Sequence, residues 1–385
     1  MLSRDELGAW LRLAGTPGLP RAVARRLLAA LGSAERVLAA PDSTLLAIVG
    51  PDVVQSLRQG DPSDADRLDT TCSWLAGAAA AGIARDVIVL GDARYPALLL
   101  ETPDPPLLLY TLGRAELLAS TGIAIVGSRS ATPQGMDNAR SFARFLSEHG
   151  LTIVSGLAMG IDGAAHEGGL AGRGSTVAFV GTGLDRAYPV RHAGLMQRIS
   201  AWGLVASEYP LGTPPVPLNF PRRNRLIAGI TLGTLVVEAA VESGSLITAR
   251  MALECGREVF AIPGSIHSPQ ASGCHRLIHE GAKLVERGAD VLAELRLDAR
   301  NAGGSASLSA AQPSLFAAAP PSTQEPDDAD AALRTALGHD PVSFDVLSAR
   351  TGMTAERLAA RLLDMELAGV VDRLPGGLLQ RRGRA

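Results

Sequence analysis

The 385-residue chain holds a single lysine, Lys283, and it follows Ala282. A phosphate-binding P-loop needs a Gly-Lys-Ser/Thr run, so a Walker-type nucleotidase is excluded. Cysteine is scarce too. Cys72, Cys255 and Cys274 are odd in number and scattered, which argues against a disulfide framework and for reduced thiols in a cytoplasm. No apolar stretch reaches the ~18–20 residues of a membrane span before Arg, Asp or Gly interrupts it. The opening residues, MLSRDELGAW, lack the basic-then-apolar order of a signal peptide. A cytoplasmic protein without membrane contact is therefore expected. Positive charge is not in excess either: the net charge is −3, so any surface for nucleic acid must be a local patch. No G-x-S-x-G elbow occurs, which excludes a serine hydrolase of that type. Gly181-Thr182-Gly183-Leu184-Asp185-Arg186 lacks the third glycine of a dinucleotide fingerprint, and no suitably placed acidic residue follows. A nicotinamide enzyme is disfavoured.

What is present centres on the stretch from Ile123 to His166. A short apolar run, Ile123 to Val126, breaks at Gly127-Ser128-Arg129-Ser130. Thr132 then sits where a helix N-cap belongs and Pro133 fits the first helical position. Ala139, Phe142, Ala143 and Leu146 recur at helical spacing, which predicts a helix with one face on a sheet. A second apolar run, Leu151 to Val154, ends in Ser155-Gly156, and a second helix is expected near Asp162. Strand, small-residue turn, helix, twice over, is the start of a doubly wound parallel sheet. Further apolar runs at 176–180, 204–206, 234–237 and 258–262 continue it, and Lys283 to Val285 is a possible last strand. Such sheets bind ligands beyond the carboxyl ends of their strands.

At this length two or three domains are expected. Residues 1–85 read as a small helical domain. Its second helix carries Arg21, Arg25 and Arg26 after a Gly-rich hairpin, which fits either a helix-hairpin-helix DNA unit or a protein-contact module. Residues 86–297 form the main α/β domain, in which 87–118 reads as a bridge with one strand-like run. From 298 to 328 the composition collapses to Ala, Ser, Pro and Gly, as in a flexible tether. Residues 329–385 read as three helices and a hairpin, a winged helix. Arg357 and Arg361 on its third helix are offset by Glu356, Asp364 and Glu366, so contact with protein is expected rather than insertion into a duplex groove.

Four turns of the main domain are expected to converge at one sheet edge. Gly127, Ser128, Arg129 and Ser130 offer hydroxyls, backbone N–H groups and a guanidinium that can hold phosphate bidentately. Ser155, Gly156 and Gly160 lie in a turn that lets a backbone approach closely. The turn at Gly181 is the third, and Phe220-Pro221-Arg222-Arg223-Asn224-Arg225, read as a fourth turn, sets three arginines beside an aromatic. Ser243-Gly244-Ser245 leads another helix. Several strand ends with phosphate-scale donors imply a polyanion or a nucleotide. Other groupings are weaker. Asp162 and His166, four apart on one helix, fit a cap and its first-turn partner as well as an acid–base pair. His267, Cys274, His275 and His279 match no usual zinc spacing. Glu238 and Glu242 are the best general-base candidates, and equally plain network residues.

These motifs together resemble the DprA/Smf family of bacterial DNA-processing proteins. The likeness is carried by Ala124-Ile125-Val126-Gly127-Ser128-Arg129, by Ser155 to Asp162 with Ala165-His166, and by Gly181 to Asp185 with Tyr188-Pro189. It continues through Phe220 to Arg225, Ser243 to Ala249, and Gly273-Cys274 with Leu277-Ile278. The resemblance implies an extended Rossmann-like domain, often with a small helical N-terminal domain and a winged-helix tail. It implies binding of single-stranded DNA without a cofactor, no catalysis, pairing into a homodimer, and delivery of RecA recombinase onto strands taken up in natural transformation. It assigns the phosphate contact to Arg129, and to Phe220 with Arg222, Arg223, Asn224 and Arg225 a stacking face and added charge. Three positions depart from the pattern: Val190 where a basic residue is usual, with Arg191 one place later as a substitute, Asn219 for the usual His, and His275 for the usual Asn. The alternative is a Rossmann-like nucleotide phosphoribohydrolase, suggested by Gly233-Thr234 and Glu238, although that family's Pro-Gly-Gly-x-Gly-Thr stretch is missing.

Overall fold

The computed structural model describes residues 2–78, 82–296, 329–338, 341–374 and 376–381. The tether read over 298–328 lies outside the described residues. Among the described residues the chain opens with six helices, α1 (Arg4–Gly15), α2 (Arg21–Leu31), α3 (Ala34–Ala39), α4 (Asp42–Leu46), α5 (Pro51–Gln59) and α6 (Asp64–Ala76). Ser3 starts α1 with a reciprocal capping box, its hydroxyl on the Glu6 N–H and the Glu6 carboxylate on its own N–H. Leu7, Leu13, Leu27, Val37 and Leu57 close the small core beneath.

The main domain follows as β1 (Arg85–Val89), α7 (Ala97–Leu100), β2 (Leu108–Gly113), β3 (Gly122–Val126), α8 (Pro133–Glu148), β4 (Thr152–Ser155), α9 (Ile161–Leu170) and β5 (Thr176–Phe179). It continues with α10 (Ala193–Trp202), β6 (Leu204–Ser207), α11 (Asn219–Gly229), β7 (Gly233–Val236), α12 (Gly244–Glu254), β8 (Glu258–Ala261), α13 (Ser272–His279), β9 (Lys283–Leu284) and α14 (Gly288–Glu294). The strands form one sheet in the order β1-β2-β6-β5-β4-β3-β7-β8-β9. From β6 to β9 every pairing is parallel. β2 runs antiparallel to both of its neighbours. The bridge reading of 87–118 missed β2, because a strand buried on both faces shows no alternation to mark it.

β3, β4, β5, β6 and β7 are buried along their whole length, as parallel strands covered by helices must be. The strand order reverses between β3 and β7. That reversal is the switch point at which doubly wound sheets leave a crevice beyond their strand ends. Thr132 caps α8 as its position predicts, its hydroxyl accepting the Gly135 N–H at 3.0 Å, with Pro133 in the first turn.

α2 turns Arg21 and Arg25 toward the main domain, while Arg26 donates to the Ile48 carbonyl among the N-terminal helices. Arg21 pairs with Asp104 at 2.5 Å and with the buried Glu208 at 3.2 Å, and Arg25 donates to the Pro103 carbonyl at 2.9 Å. Those side chains are used for contact between domains.

The tail comprises α15 (Ala329–Leu337), β10 (Val342–Ser343), α16 (Phe344–Thr351), α17 (Ala355–Leu367), β11 (Val371–Arg373) and β12 (Leu378–Arg381). Its sheet order is β10-β12-β11, the winged-helix arrangement, over a core of Leu333, Leu347, Leu358, Leu362 and Leu379. Ser343 caps α16 through the Val346 N–H, whereas Thr354 stands at the start of α17 without a side-chain cap bond. Arg350 of α16 donates to Gln134 at 2.9 Å and to Asp137 at 3.2 Å, both in the first turns of α8. No helix among the described residues is long and apolar enough to cross a membrane.

α8 and α9 pack so closely that a Cβ on Gly168 would overlap the Arg140 carbonyl oxygen and press on Ala143. Helix propensity favours alanine over glycine by about 1 kcal/mol, but overlap with a backbone oxygen costs about 1–3 kcal/mol or more. The clash wins. Gly168→Ala should lower the thermal midpoint, while Gly194→Ala, on α10 with open space at its Cβ, should leave it unchanged or raise it. Calorimetry that found both substitutions stabilising would refute this packing.

Candidate nucleic-acid interface

At the switch point the ends of β3 and β7 bound a cleft of about 480 Å³. Its rim is the turn after β3 and the start of α12, and α11 forms its wall. The turn is fixed from beneath: Ser128 N–H donates to the Glu238 carbonyl at 2.7 Å, and the Ile161 N–H donates to the Ser128 carbonyl at 3.2 Å. Gly160 makes that second bond possible. Its φ is +75°, and a Cβ there would collide with the same Ser128 oxygen. Ser128 is buried and its hydroxyl accepts the Ser130 N–H at 3.1 Å, so Arg129 is projected outward. The Arg129 guanidinium lies 5.8 Å from the centre of the Phe220 ring, and among the described residues it is paired to no carboxylate. A free cation thus stands over an aromatic face at the cleft mouth.

The segment from Phe220 to Arg225, read from the sequence as a turn, is instead the first half of α11. Proline is tolerated there because a first helical turn needs no N–H partner. The correction matters for the arginines. Successive residues of a helix point about 100° apart, so neighbouring side chains cannot share one surface. Arg222 is exposed. Arg225 is held by Glu208 and lies 3.2 Å from Asp104, away from the cleft lining. Arg223 is only 3% exposed and donates to the carbonyls of Gly156, at 2.7 Å, and Phe179.

Asp162 faces Arg223 from the start of α9. Its carboxylate accepts the N–H groups of Gly156 at 3.1 Å and Ala158 at 3.3 Å. Burial raises the Asp162 carboxyl, opposed by the Arg223 charge and these two N–H groups. Burial likewise pushes Arg223 down to about 10, which leaves it cationic at neutral pH. His166 does not pair with Asp162. Its Nε2 accepts the Leu157 N–H at 3.3 Å and its Nδ1 meets the Thr176 hydroxyl at 2.7 Å. That hydroxyl donates onward to the Ile153 carbonyl, so the neutral ring carries its proton on Nδ1. Leu157, held this way, keeps a φ of +60°.

Of the residues singled out from the sequence, Gly127, Ser128, Arg129, Ser130, Phe220, Arg223, Asn224, Ser243 and Ser245 line the cleft. Ser155, Gly156 and Gly160 lie beneath it. Ser155 is fully buried and donates to the Ile125 carbonyl at 2.7 Å. Arg191 is exposed on the neighbouring loop, outside the lining. Ser243 caps α12, its hydroxyl accepting the Ser245 N–H and lying 2.7 Å from the Ser245 hydroxyl.

Gln270 also lines the cleft, and nothing in the sequence marked it. It is brought in because its carbonyl accepts the Ala239 N–H and the Gly273 N–H returns to the Ala239 carbonyl. The Gly273-Cys274 pair was the available signal, since that glycine permits the close return. Glu238 uses its carboxylate on the Thr132 N–H at 2.9 Å and hydroxyl at 2.5 Å, reinforcing the start of α8. Glu242 is exposed at the rim. Cys274 is buried against the Val236 carbonyl, its thiol pushed up to about 12, and His275 bonds the Gly264 carbonyl. Among the described residues no group of three or more His, Cys, Asp and Glu side chains is placed to hold a metal ion.

The sequence profile of DNA recombination-mediator protein A matches residues 86–296, and that of the DprA winged helix domain matches 317–377. Protein Smf of Escherichia coli is 41% identical over 294 residues, 75% of this chain and 75% of that protein. The DNA processing protein DprA of Streptococcus pneumoniae is 50% identical over 203 residues, 53% of this chain and 72% of that protein. The crystal structure of the pneumococcal DprA superposes with a TM-score of 0.64 at 36% identity, covering 76% of this chain and 98% of the other. A structure of DNA processing protein A from Helicobacter pylori, described for its single-stranded DNA binding mode, gives 0.51 at 29% identity, covering 55% and 97%.

Two predictions follow from the buried groups. Arg223→Ala leaves Asp162 without its counter-charge and two carbonyls without a donor, and should cost about 3–5 kcal/mol of stability. Arg222→Ala should fall within about 0.5 kcal/mol of wild type in the same denaturant titration. Equal effects would show that α11 is oriented otherwise. Burial pushes His166 down to about 3 from 6.5. Between those values the unfolded chain binds a proton that the folded chain refuses, so stability is full above 6.5 and falls as pH drops. At about pH 5 this amounts to about 2 kcal/mol. The melting temperature of wild type should drop more steeply from neutral pH to pH ~5 than that of His166→Gln. Parallel curves would contradict it.

Proposed function

The chain belongs to the DNA recombination-mediator protein A family, and from that membership we propose that it is a single-stranded-DNA-binding protein that loads RecA recombinase onto incoming strands. The observation that carries the reading is Arg129 set over Phe220 at the open cleft. A cation for a phosphate, on a turn fixed by its own hydrogen bonds, lies beside an aromatic face for a base at the start of α11. Base–aromatic stacking is worth about 1–3 kcal/mol per base and accepts any base. Recognition of that kind suits a strand of arbitrary sequence taken up in natural transformation. The Helicobacter pylori relative, described as binding single-stranded DNA, supports the same use of the fold.

The reading is of a binding protein and not an enzyme. Asp162, His166 and Glu238, the groups best suited to acid–base work, are each engaged in hydrogen bonds that shape the turns. Glu238 in particular, the residue that suggested a phosphoribohydrolase, holds the start of α8. Family resemblance extends the proposal to a homodimer and to RecA as the partner that receives the strand.

Arg129→Glu should weaken binding of fluorescent oligo-dT by at least about tenfold, with the melting temperature nearly unchanged because the side chain is exposed. Wild-type affinity should fall with salt by about 0.7 in log–log slope for each phosphate neutralised, and the variant should lose about one such increment. Undiminished affinity of Arg129→Glu would remove the cleft from the account. RecA assembly on strands coated with a single-strand-binding protein, followed with and without this chain, tests the second half. No acceleration would confine the function to binding.

A further inference from the structure

The cleft ends at Phe220, but the aromatic surface does not. The Tyr188 ring lies 5.3 Å from the Phe220 ring, centre to centre, with the two planes inclined by 33°. Arg129, Phe220 and Tyr188 therefore form a continuous series, cation on ring on ring, leading out of the cleft. Tyr188 is 44% exposed, and Val190 beyond it is 80% exposed. Neither is part of the core, so packing alone gives no reason for an aromatic there.

The loop that carries them is held at both ends. Asp185 accepts the Gly212 N–H at 2.8 Å, and His192 bonds the Leu157 carbonyl through Nδ1 at 3.0 Å. The loop charge is positive on balance. Arg186 and Arg191 are both exposed, and the one acid beside them, Asp185, approaches Arg186 only to 3.8 Å. An anchored loop with an open ring between two exposed arginines has the composition of a single-strand track, where bases stack and the backbone follows positive charge.

We propose that a single strand leaving the cleft passes over Tyr188, which serves as a second base platform, with Arg186 and Arg191 contacting the phosphates on either side. This rests on the single-stranded-DNA reading of the cleft. A strand confined to the cleft meets Arg129 and Phe220 only, whereas a longer one reaches Tyr188, so the contribution of this ring depends on length.

The test compares oligo-dT of about four and about twelve nucleotides, within the range of single-strand site sizes. Tyr188→Ala should weaken binding of the longer strand roughly five- to 150-fold, the loss of one stacked base at about 1–3 kcal/mol. Binding of the short strand should stay within about twofold of wild type, which also reports that Phe220 has kept its place. Tyr188→Phe should behave as wild type with both. Tyr188→Trp should show emission quenched by the longer strand beyond any change in the wild-type protein. If Tyr188→Ala binds the longer strand normally while Arg129→Glu loses it, the second platform is wrong and the cleft reading stands. If Arg129→Glu binds both strands normally, the cleft reading fails and the track falls with it.

Discussion

The cleft depends on one buried cation. The Arg223 guanidinium reaches from α11 to the carbonyl of Gly156, past the end of β4, and to that of Phe179, at the end of β5, with Asp162 opposite. A charge taken so far from water is tolerated only when its donors are matched. Here that requirement fixes three elements at once: the wall helix, the turn after β4 and the start of α9. Asp162 in turn holds the Gly156 and Ala158 N–H groups, and Gly160 hands the Ile161 N–H to Ser128. Position therefore passes from a buried arginine to an exposed one through a continuous set of hydrogen bonds.

This division of labour explains how a chain of net charge −3 can present a surface for a polyanion. Arginine is spent unevenly. Arg21 and Arg225 share Glu208 and Asp104 between the N-terminal helices and α11, and Arg350 ties the tail to α8. Arg223 supports the floor. What is left facing outward around the cleft is Arg129, Arg222 and, on the neighbouring loop, Arg186 and Arg191. Local excess is enough, because screening confines electrostatic attraction to about 8–10 Å at ordinary ionic strength. That patch borders the strand-order reversal between β3 and β7, where doubly wound folds carry their ligands.

Much of this was legible in the sequence, and the failures have physical causes. The strand–turn–helix rhythm from Ile123 to His166 identified β3, α8, β4 and α9, and the cap at Thr132 was read correctly because capping is local chemistry. β2 escaped because both of its faces are covered. Phe220 to Arg225 was read as a turn, but its proline falls in the first turn of a helix, where no N–H partner is needed. That error spread to function: three arginines in a loop look like one patch, whereas on the helix Arg223 turns inward and Arg225 is taken up by Glu208 and Asp104, leaving Arg222 exposed. The distribution of roles among Arg222, Arg223 and Arg225 needed the neighbouring carbonyls and carboxylates, which lie from 17 to 121 residues away in sequence. Gln270 was missed for a related reason: its place is set by Ala239, remote in sequence, and only the Gly273-Cys274 pair hinted at it.

The central claim is that a polynucleotide is gripped at the β3–β7 switch point, by charge and stacking together. Photocrosslinking of an oligonucleotide bearing 5-iodouracil, followed by mass spectrometric mapping of the adducts, tests it most directly. Adducts on the peptide containing Phe220 and on the segment around Arg129 are the predicted result. Adducts confined to α2 or to α17 of the winged helix, with none at the cleft, would contradict it.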